Sequence, residues 1–300
     1  MGFTSTDVPD QTGTTVLVTG ANTGLGFEAA KVLADRGARV LLGCRSEERA
    51  TDAIDQIRES VPAADLRFIP LDQADLSSIK AAADLVQSED RLDVLVNNAG
   101  IMMPPLQYTA DGFESQFGVN HLGTFALTAH LLSKLAETDG ARVVVTSSIA
   151  HKPGKIDFDD LGAEKGYDAQ SRYQQSKLAN LLFMYELDRR LVASGSGITA
   201  VACHPGIAST ELGRHMPKVL TLALPLVKLV FNSPTQGAWP TLMAATSPDI
   251  DGGDYTGPAK RGETAGPAVK VSSTERARDE ELARRLWDTS IAMTGVDPGI

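Results

Sequence analysis

The sequence is poor in cysteine, has no excess of basic charge and contains no long hydrophobic run. Its two cysteines, Cys44 and Cys203, are far apart in a chain of 300 residues. Two such residues cannot build a disulfide framework or a four-ligand zinc site. Their scarcity argues against a disulfide-stabilised scaffold, and a reducing, cytoplasmic compartment is the expected location.

The balance of charge excludes a general polyanion binder. There are 28 Lys and Arg residues against 38 Asp and Glu, so the formal net charge is −10. The summed field repels nucleic acid and anionic lipid, although one local basic site can still hold a phosphate. With 42% apolar and 22% charged residues, the chain can bury a substantial core, and we expect a globular protein without a nucleic-acid partner.

No segment has the pattern of a membrane span or a targeting signal. The most apolar run, residues 219–231, is shorter than the ~20 residues that a bilayer needs and contains Pro225 and Lys228. Residues 1–13 have neither a basic nor an apolar signal region and are predicted to form a short polar tail. The sequence therefore predicts no membrane-spanning helix.

Short β-branched or Leu-rich runs alternate with amphipathic stretches of helical length, which is typical of repeated β-α-β units. The predicted strands are 15–19, 39–42, 66–71, 94–97, 142–146 and 198–202, and the predicted helices are 28–36, 47–60, 77–88, 113–137 and 172–193. No linker-like break interrupts them. We expect an α/β fold in one domain of residues 1–300, a doubly wound parallel sheet with helices on both faces.

Two less regular regions, residues 151–170 and 206–240, each follow a strand. Both should lie at the carboxyl edge of the sheet, where α/β proteins bind ligands. They are predicted to form the walls of a substrate site, with 206–240 as a lid region. The apolar run 219–231 inside it is either such a lid or part of the core.

A glycine-rich loop follows the first predicted strand and leads directly into a helix. It contains Gly20, Asn22, Thr23, Gly24, Leu25 and Gly26, with the spacing Gly-x3-Gly-x-Gly. Glycines let the backbone turn tightly and approach a pyrophosphate, and the helix start supplies free N–H groups. The position between strand and helix favours a dinucleotide site over a purely structural turn.

Tyr173 and Lys177 are spaced i, i+4 and should project from one face of a helix. A phenol with an unperturbed pKa of about 10 is a weak base near neutral pH, and a neighbouring ammonium favours the phenolate. The pair is suited to acid–base chemistry, although an isolated match would be only a solvated helical pair.

Ser147 and Ser148 end the fifth predicted strand, at the edge that faces the glycine loop. A hydroxyl there can donate to a carbonyl oxygen and stabilise developing negative charge. Neither serine lies in a Gly-x-Ser-x-Gly elbow, and the five histidines lack a zinc-binding spacing, so no hydrolase or metal site is predicted.

Together these features resemble the short-chain dehydrogenase/reductase family over roughly residues 15–294. Longer signatures resemble its retinol-dehydrogenase-like branch: they lie at 119–123, 147–151, 173–180 and 204–206. Members of that branch commonly carry an N-terminal membrane anchor, whereas this chain begins about a dozen residues before its first strand. Retinoid metabolism is therefore not implied.

The resemblance implies a catalytic set of Asn120, Ser148, Tyr173 and Lys177, in which Ser148 is preferred to Ser147. Asn120 corresponds to the residue whose carbonyl holds a water between the lysine and bulk solvent. A structural role in an irregular helix is compatible with the same position. The resemblance also implies dimers or tetramers through helices such as 113–137 and 172–193, with a monomer as the alternative.

The choice of cofactor depends on the end of the second strand, where an acid would bind the ribose 2′-hydroxyl and exclude a 2′-phosphate. By the family comparison Cys44 stands in that place, and Arg45 can bind the phosphate. We therefore expect NADP(H). An exposed Arg45 beside an unselective site is the alternative.

Further cofactor contacts follow from the resemblance. They are Asp72 and Gln73 near the adenine, Asn98, Ala99 and Gly100 after the fourth strand, Tyr173 and Lys177 at the ribose, and Pro205, Gly206, Ile207 and Thr210 near the nicotinamide. Each of the turns involved has an ordinary structural role as its alternative.

The expected function is hydride transfer between NADP(H) and a small apolar ketone, aldehyde or alcohol. Two alternatives remain open. One is a reductase of an activated C=C bond, which can use the same tyrosine and lysine. The other is a non-catalytic, NADPH-sensing protein that keeps the fold.

Overall fold

The computed structural model describes residues 2–206 and 232–300, and in them the chain forms one eight-stranded sheet. The strand order is β3-β2-β1-β4-β5-β6-β7-β8, and every neighbouring pair is parallel except β7 and β8. The strands are β1 (Thr15–Thr19), β2 (Arg39–Cys44), β3 (Leu66–Pro70), β4 (Val94–Asn97), β5 (Arg142–Thr146), β6 (Thr199–Cys203), β7 (Tyr255–Lys260) and β8 (Ala265–Lys270).

The helices connect the parallel strands and complete the C-terminal part of the chain. They are α1 (Gly24–Asp35), α2 (Glu47–Ser60), α3 (Leu76–Gln87), α4 (Ser115–Phe117), α5 (Gly123–Ala136), α6 (Ala169–Ala193), α7 (Pro234–Gly237), α8 (Trp239–Thr246) and α9 (Glu280–Thr294). A π-helical turn, Gly118–Leu122, joins α4 to α5, and a 3₁₀ turn, Ile149–His151, follows β5.

Alternate residues of each strand point to opposite faces of the sheet and build two cores. Leu17, Leu95 and Val143 lie in the core covered by α3, α5, α6 and α9. Val16 and Val144 lie in the core covered by α1, α2 and α8. Both faces are buried, which explains the continuous apolar runs of β1 and β4. The prediction of a doubly wound α/β sheet with helices on both faces is confirmed.

The predicted elements are present, with ends shifted by a few residues. Strand 198–202 lies one residue later, and helix 28–36 begins earlier, at Gly24, because the glycine loop passes straight into its first turn. Helix 113–137 begins at Ser115 and is interrupted by the π-helical turn. The predicted helix is therefore present over residues 115–136, with a π-helical turn inside it.

The last part of the sheet was not predicted. β7 and β8 contain Gly257, Pro258, Gly266 and Pro267, residue types that are depleted in strands. They form a hairpin with each other, and β7 also pairs with β6. The strands are stable here because their places in the sheet are set by long-range pairing, which overrides local propensity.

The N-terminal residues are more ordered than a polar tail. Phe3 exchanges two backbone hydrogen bonds with Ala268 of β8, and Val8 is buried. The residues therefore cover the edge of the sheet. The segment predicted as a short polar tail, 1–13, is thus held against the sheet at Phe3 and Val8.

Two observations concern the described residues alone. None of their helices is both long and apolar enough to cross a membrane. No group of three or more His, Cys, Asp or Glu side chains in them is arranged to hold a metal ion. The run 219–231 and the predicted contacts Ile207 and Thr210 lie outside the described residues.

Candidate active site

One cleft lies where β1, β4, β5 and β6 end. It is lined by Leu25, Asn98, Gly100, Ile101, Met102, Thr146, Ser147, Ser148, Tyr173, Lys177 and Pro205. Parallel strands end at the same edge, so residues distant in sequence meet there. The fold thus brings the glycine loop, the serine–tyrosine–lysine group and the Pro205 turn to one place.

The glycine loop has the geometry of an anion cradle. Gly20 and Gly24 have positive φ values of 67° and 59°, which favour glycine. Thr23 is the N-cap of α1, yet its side chain makes no capping hydrogen bond within the described residues, whereas Ser46 caps α2 and Asp75 caps α3. The first N–H groups of α1 and its positive dipole end are therefore suited to a phosphate.

The loop is held against β4 by close packing. A Cβ on Gly26 would lie 2.5 Å from Asn98 Nδ2 and 2.6 Å from Gly20 O. Thr19 Oγ1 accepts hydrogen bonds from the backbone N–H groups of Asn98, at 3.0 Å, and Ala99, at 2.9 Å. Asn98 Nδ2 in turn donates to Thr19 O at 2.8 Å. Asn98 and Ala99 thus brace the loop, and Thr19 is a site residue that the sequence did not reveal.

β2 ends at Cys44, which carries a neutral thiol, and the next residue, Arg45, is an exposed cation. Burial raises the pKa of Cys44 to about 11, although the backbone N–H groups of Ala21 and Asn22 favour the thiolate. Cys44 is therefore uncharged at neutral pH. The adjacent Arg45 side chain is 76% exposed, and its Nη1 lies 3.7 Å from Asp72 Oδ2.

Asp72 and Gln73 follow β3, and Asp72 lies beside Arg45. Asp72 Oδ1 accepts from Ala74 N at 3.0 Å, so this residue also stabilises a turn. Gln73 is buried, and neither atom of its amide has a hydrogen-bond partner in the described part of the chain. A Cβ on Gly123 would lie 2.7 Å from Gln73 O, so the turn packs closely on α5.

Tyr173 and Lys177 are one turn apart on α6, and only 6% and 5% of their surface is exposed. Lys177 Nζ lies 5.7 Å from the centre of the Tyr173 ring and donates to Thr146 O at 3.3 Å. The ammonium is thus held beside the phenol, in a place where it favours negative charge on the tyrosine. The predicted pairing on one helix face is observed.

Asn120 lies behind the cleft, in the π-helical turn. Its Oδ1 accepts from Ile101 N at 2.8 Å, and its Nδ2 donates to Ile101 O and to Ser176 Oγ, both at 2.9 Å. A Cβ on Gly100 would lie 3.1 Å from Asn120 Oδ1 and 3.5 Å from Lys177 Nζ. Asn120 and Lys177 therefore approach each other at Gly100. Ser176 is a second residue of the site that sequence reasoning missed.

The two serines differ in their hydrogen bonds. Ser147 Oγ is buried and donates to Lys177 O at 2.7 Å, which ties β5 to α6. Ser148 is less buried, and its Oγ accepts from Ala150 N at 3.2 Å. Accepting that bond leaves the Ser148 proton to be donated elsewhere. Of the two, Ser148 is the better donor to a ligand in the cleft.

Pro205 lines the cleft directly after β6, and Gly206 follows with a φ of 73°. The N–H of Gly206 donates to Nδ1 of His204 at 3.2 Å, so the turn is fixed from behind. The contacts of His204 with Glu263 and Tyr255 could not be read from its sequence position, because these residues belong to the distant β7–β8 hairpin.

Comparisons with known proteins agree with this architecture. Residues 14–219 match the sequence model of the short chain dehydrogenase family. Retinol dehydrogenase 14 of Mus musculus is 44% identical over 95% of this chain and 86% of its own, and retinol dehydrogenase 13 of Homo sapiens is 43% identical over 95% and 86%. A crystal structure of an uncharacterized protein from Mycobacterium paratuberculosis superposes with a TM-score of 0.83, 40% identity and complete coverage of both chains.

The two retinol dehydrogenases match 95% of this chain, and the superposition on the Mycobacterium paratuberculosis protein covers all of it. The chain belongs to the short-chain dehydrogenase/reductase family, in its retinol-dehydrogenase-like branch.

Proposed function

We propose that this protein is an NADP(H)-dependent oxidoreductase that transfers hydride between nicotinamide and an apolar ketone, aldehyde or alcohol. The observation that carries the proposal is that Ser148, Tyr173 and Lys177 line one cleft together with Leu25, from the glycine loop, and Pro205. Relatives named retinol dehydrogenases support a substrate with a CH–OH or C=O group on an apolar body.

The residues present fit a dinucleotide with a 2′-phosphate. The start of α1, without a side-chain cap from Thr23, would hold the pyrophosphate. Arg45 would pair with the 2′-phosphate, and the neutral Cys44 adds no repulsion there. When bound, the nicotinamide supplies or accepts the hydride.

In the direction of reduction, Tyr173 donates its phenolic proton to the substrate oxygen. The Lys177 ammonium, 5.7 Å from the centre of the phenol ring, stabilises the phenolate that remains. Ser148 donates a hydrogen bond to the same substrate oxygen and stabilises its developing charge. In the direction of oxidation the same groups act in reverse order.

Asn120 supports the return of the proton. Its side chain is committed to Ile101 and Ser176, which holds the π-helical turn at a fixed place behind Lys177. The turn leaves the regular hydrogen-bond pattern of an α-helix, since the Gly123 N–H donates to Gly118 O, and we propose that a backbone carbonyl of the turn holds a water. We assign Asn120 this role of connecting Lys177 to solvent.

The test is a screen of NADPH oxidation with aldehydes, aryl ketones, steroids and enones, followed by mass spectrometry of the products. We expect alcohols from ketones and aldehydes. Saturated ketones from enones would favour the C=C reductase, and NADPH binding without any turnover would favour the non-catalytic protein. Either outcome contradicts the proposal.

The cleft also predicts a preference for apolar substrates. Ile101 and Met102 line it, and Met103 and Leu106 follow in the same loop with exposed side chains. A buried methylene contributes about 0.8 kcal/mol, so two added carbons in a ketone should raise kcat/KM up to ~15-fold until the pocket is full. Steady-state kinetics on a homologous series measures this, and a flat profile contradicts an apolar pocket.

A further inference from the structure

The β7–β8 hairpin presses against the turn that lines the cleft. A Cβ on Gly206 would lie 2.6 Å from Thr264 O and 2.8 Å from Pro258 Cγ. At the tip of the hairpin, residues 261–263 all have positive φ values, between 56° and 65°. Arg261 and Glu263 adopt this conformation, although it is unfavourable for residues other than glycine. The hairpin is therefore held in an unusual shape next to the Pro205 turn.

His204 connects the hairpin to the turn. The ring is fully buried, and Nδ1 accepts the Gly206 N–H at 3.2 Å. Burial lowers the pKa of His204, so the ring is neutral at pH 7. A neutral imidazole that accepts at Nδ1 carries its proton on Nε2. Nε2 faces Glu263 Oε2 at 3.4 Å, a contact longer than an ordinary hydrogen bond.

The same carboxylate oxygen also contacts the other wall of the cleft. Lys152 Nζ donates to Glu263 Oε2 at 3.2 Å. Lys152 ends the 3₁₀ turn Ile149–His151, whose N-cap is Ser148. The contact with His204 and the Lys152 ammonium lower the pKa of Glu263 to about 2, against the effect of burial, so the carboxylate is ionised at neutral pH.

The rings of Tyr255, His204 and His151 pack together next to these contacts. The Tyr255 ring of β7 is buried, with its centre 5.2 Å from that of His204 and 5.8 Å from that of His151. His151 Nδ1 in turn contacts Ser148 O at 2.7 Å. The segment that follows Ser148 and the segment that precedes Pro205 therefore both pack on β7. Glu263 contacts one residue of each segment.

We propose that Glu263 is a positioning residue that keeps the two walls of the cleft at a fixed separation. Its carboxylate anchors His204 behind the Pro205–Gly206 turn and Lys152 behind Ser148. The inference rests on the proposed function, because the separation matters only if hydride and proton transfer occur between these walls. A small displacement of either wall would lower the rate without removing a group that touches substrate.

The first measurement needs no turnover. Nitrogen NMR of the free protein, with the five histidines assigned by single substitutions, reports which ring nitrogen of His204 carries the proton. We expect Nε2–H in the unmodified chain and altered His204 signals in Glu263→Ala. A protonated Nδ1, or signals unchanged by the substitution, would overturn the proposal.

The second measurement is kinetic. Glu263→Ala should lower kcat about tenfold with a smaller change in KM, whereas Glu263→Gln, which keeps an acceptor for Nε2–H, should stay within about threefold. Lys152→Met should fall between them, since it releases one wall only. Glu164→Ala removes an exposed carboxylate before α6 and serves as the matched control.

Three results separate the explanations. A Glu263→Ala protein with a lower Tm but unchanged kcat has lost a structural contact only, which contradicts the proposal. Equal losses in Glu263→Gln and Glu263→Ala, together with no loss in Lys152→Met, also contradict it, since neither the acceptor for Nε2–H nor the Lys152 contact would then account for the lower rate. An unmodified chain that turns over no carbonyl contradicts the proposed function, while the His204 signals still decide whether Glu263 anchors the ring.

Discussion

At the scale of single residues, the proposed reaction depends first on the phenol of Tyr173. Tyr173→Phe keeps the ring against Lys177 but removes the proton donor. We expect kcat to fall by ~10² to 10⁴, the usual scale of general acid catalysis, with NADPH affinity largely retained. Stopped-flow kinetics and fluorescence titration with NADPH measure the two effects separately.

A matched control lies on the same helix. Tyr185 is in α6, away from the cleft, and its hydroxyl pairs with Ser273 Oγ at 2.8 Å. Tyr185→Phe should leave kcat within about twofold. Near-normal turnover in a folded Tyr173→Phe protein would contradict the assignment of the acid.

Lys177→Ala should reduce turnover and cofactor affinity together, because the lysine is assigned both the stabilisation of the phenolate and a contact with the cofactor ribose.

The preference for NADPH over NADH is predicted from the residues at the end of β2. A charge-assisted contact contributes about 1.5–3 kcal/mol, so the unmodified chain should bind NADPH roughly 10- to 150-fold more tightly than NADH. The double variant Cys44→Asp/Arg45→Ala places an acid where the buried neutral thiol lies and removes the cation. Its preference should shift towards NADH.

Calorimetric titration with both cofactors measures the change. Arg58→Ala, which removes a cation from the last turn of α2, is the control and should leave the preference unaltered. Equal affinity of the unmodified chain for NADPH and NADH would contradict the role of Arg45.

At the scale of elements, the side chain of Trp287 packs α9 against α5 and α6. The Trp287 ring is buried, with its centre 5.2 Å from that of Phe125 and 5.9 Å from that of Phe183. Trp287→Ala should lower the free energy of unfolding by about 3–5 kcal/mol, because it leaves a large cavity. Urea denaturation measures the loss.

Asp288 is exposed on the next position of α9 and provides the comparison. Asp288→Ala should change the free energy of unfolding by less than about 0.5 kcal/mol. Similar values for both variants would mean that α9 contributes little to stability. Since α9 covers the side of α5 and α6 that carries Phe125 and Phe183, association of copies through these helices would have to use other faces.

At the scale of the whole molecule, buried histidines determine how stability responds to mild acid. Burial lowers the pKa of His121 to about 3 and also lowers the pKa values of His151 and His204. In the unfolded chain a histidine titrates near 6.5. Below that pH the unfolded state binds protons that the folded state does not, so stability is lost as the pH falls from 6.5.

For His121 alone, linkage gives a loss of about 1.4 kcal/mol between pH 7.5 and 5.5. Carboxylates titrate mainly below this window, so histidines dominate the change. Urea denaturation at the two pH values measures it, and His121→Asn should reduce the difference. Equal stability at both values would contradict neutral, buried histidines.

Much of this organisation could be derived from local patterns in the chain. The apolar runs of β1 to β6 predict strands because both faces of a parallel sheet are buried. The Gly20–Gly26 loop follows a strand, and Tyr173 and Lys177 share a helix face, so short spacings carry their information. Strands β7 and β8 could not be predicted, because Pro258 and Pro267 are of a residue type that local patterns exclude from strands.

Local patterns in the sequence therefore sufficed to predict the elements up to β6 and the side chains that meet at the ends of these strands, since both depend on side-chain periodicity and on neighbours within a few residues. Three sets of contacts could be seen in the folded structure alone: Thr19 braces Asn98, Ser147 is tied to Lys177 O, and Glu263 reaches both Lys152 and His204. These contacts join residues 30 to more than 100 positions apart, and the pairing of strands and the packing of helices, which no local spacing encodes, bring them together.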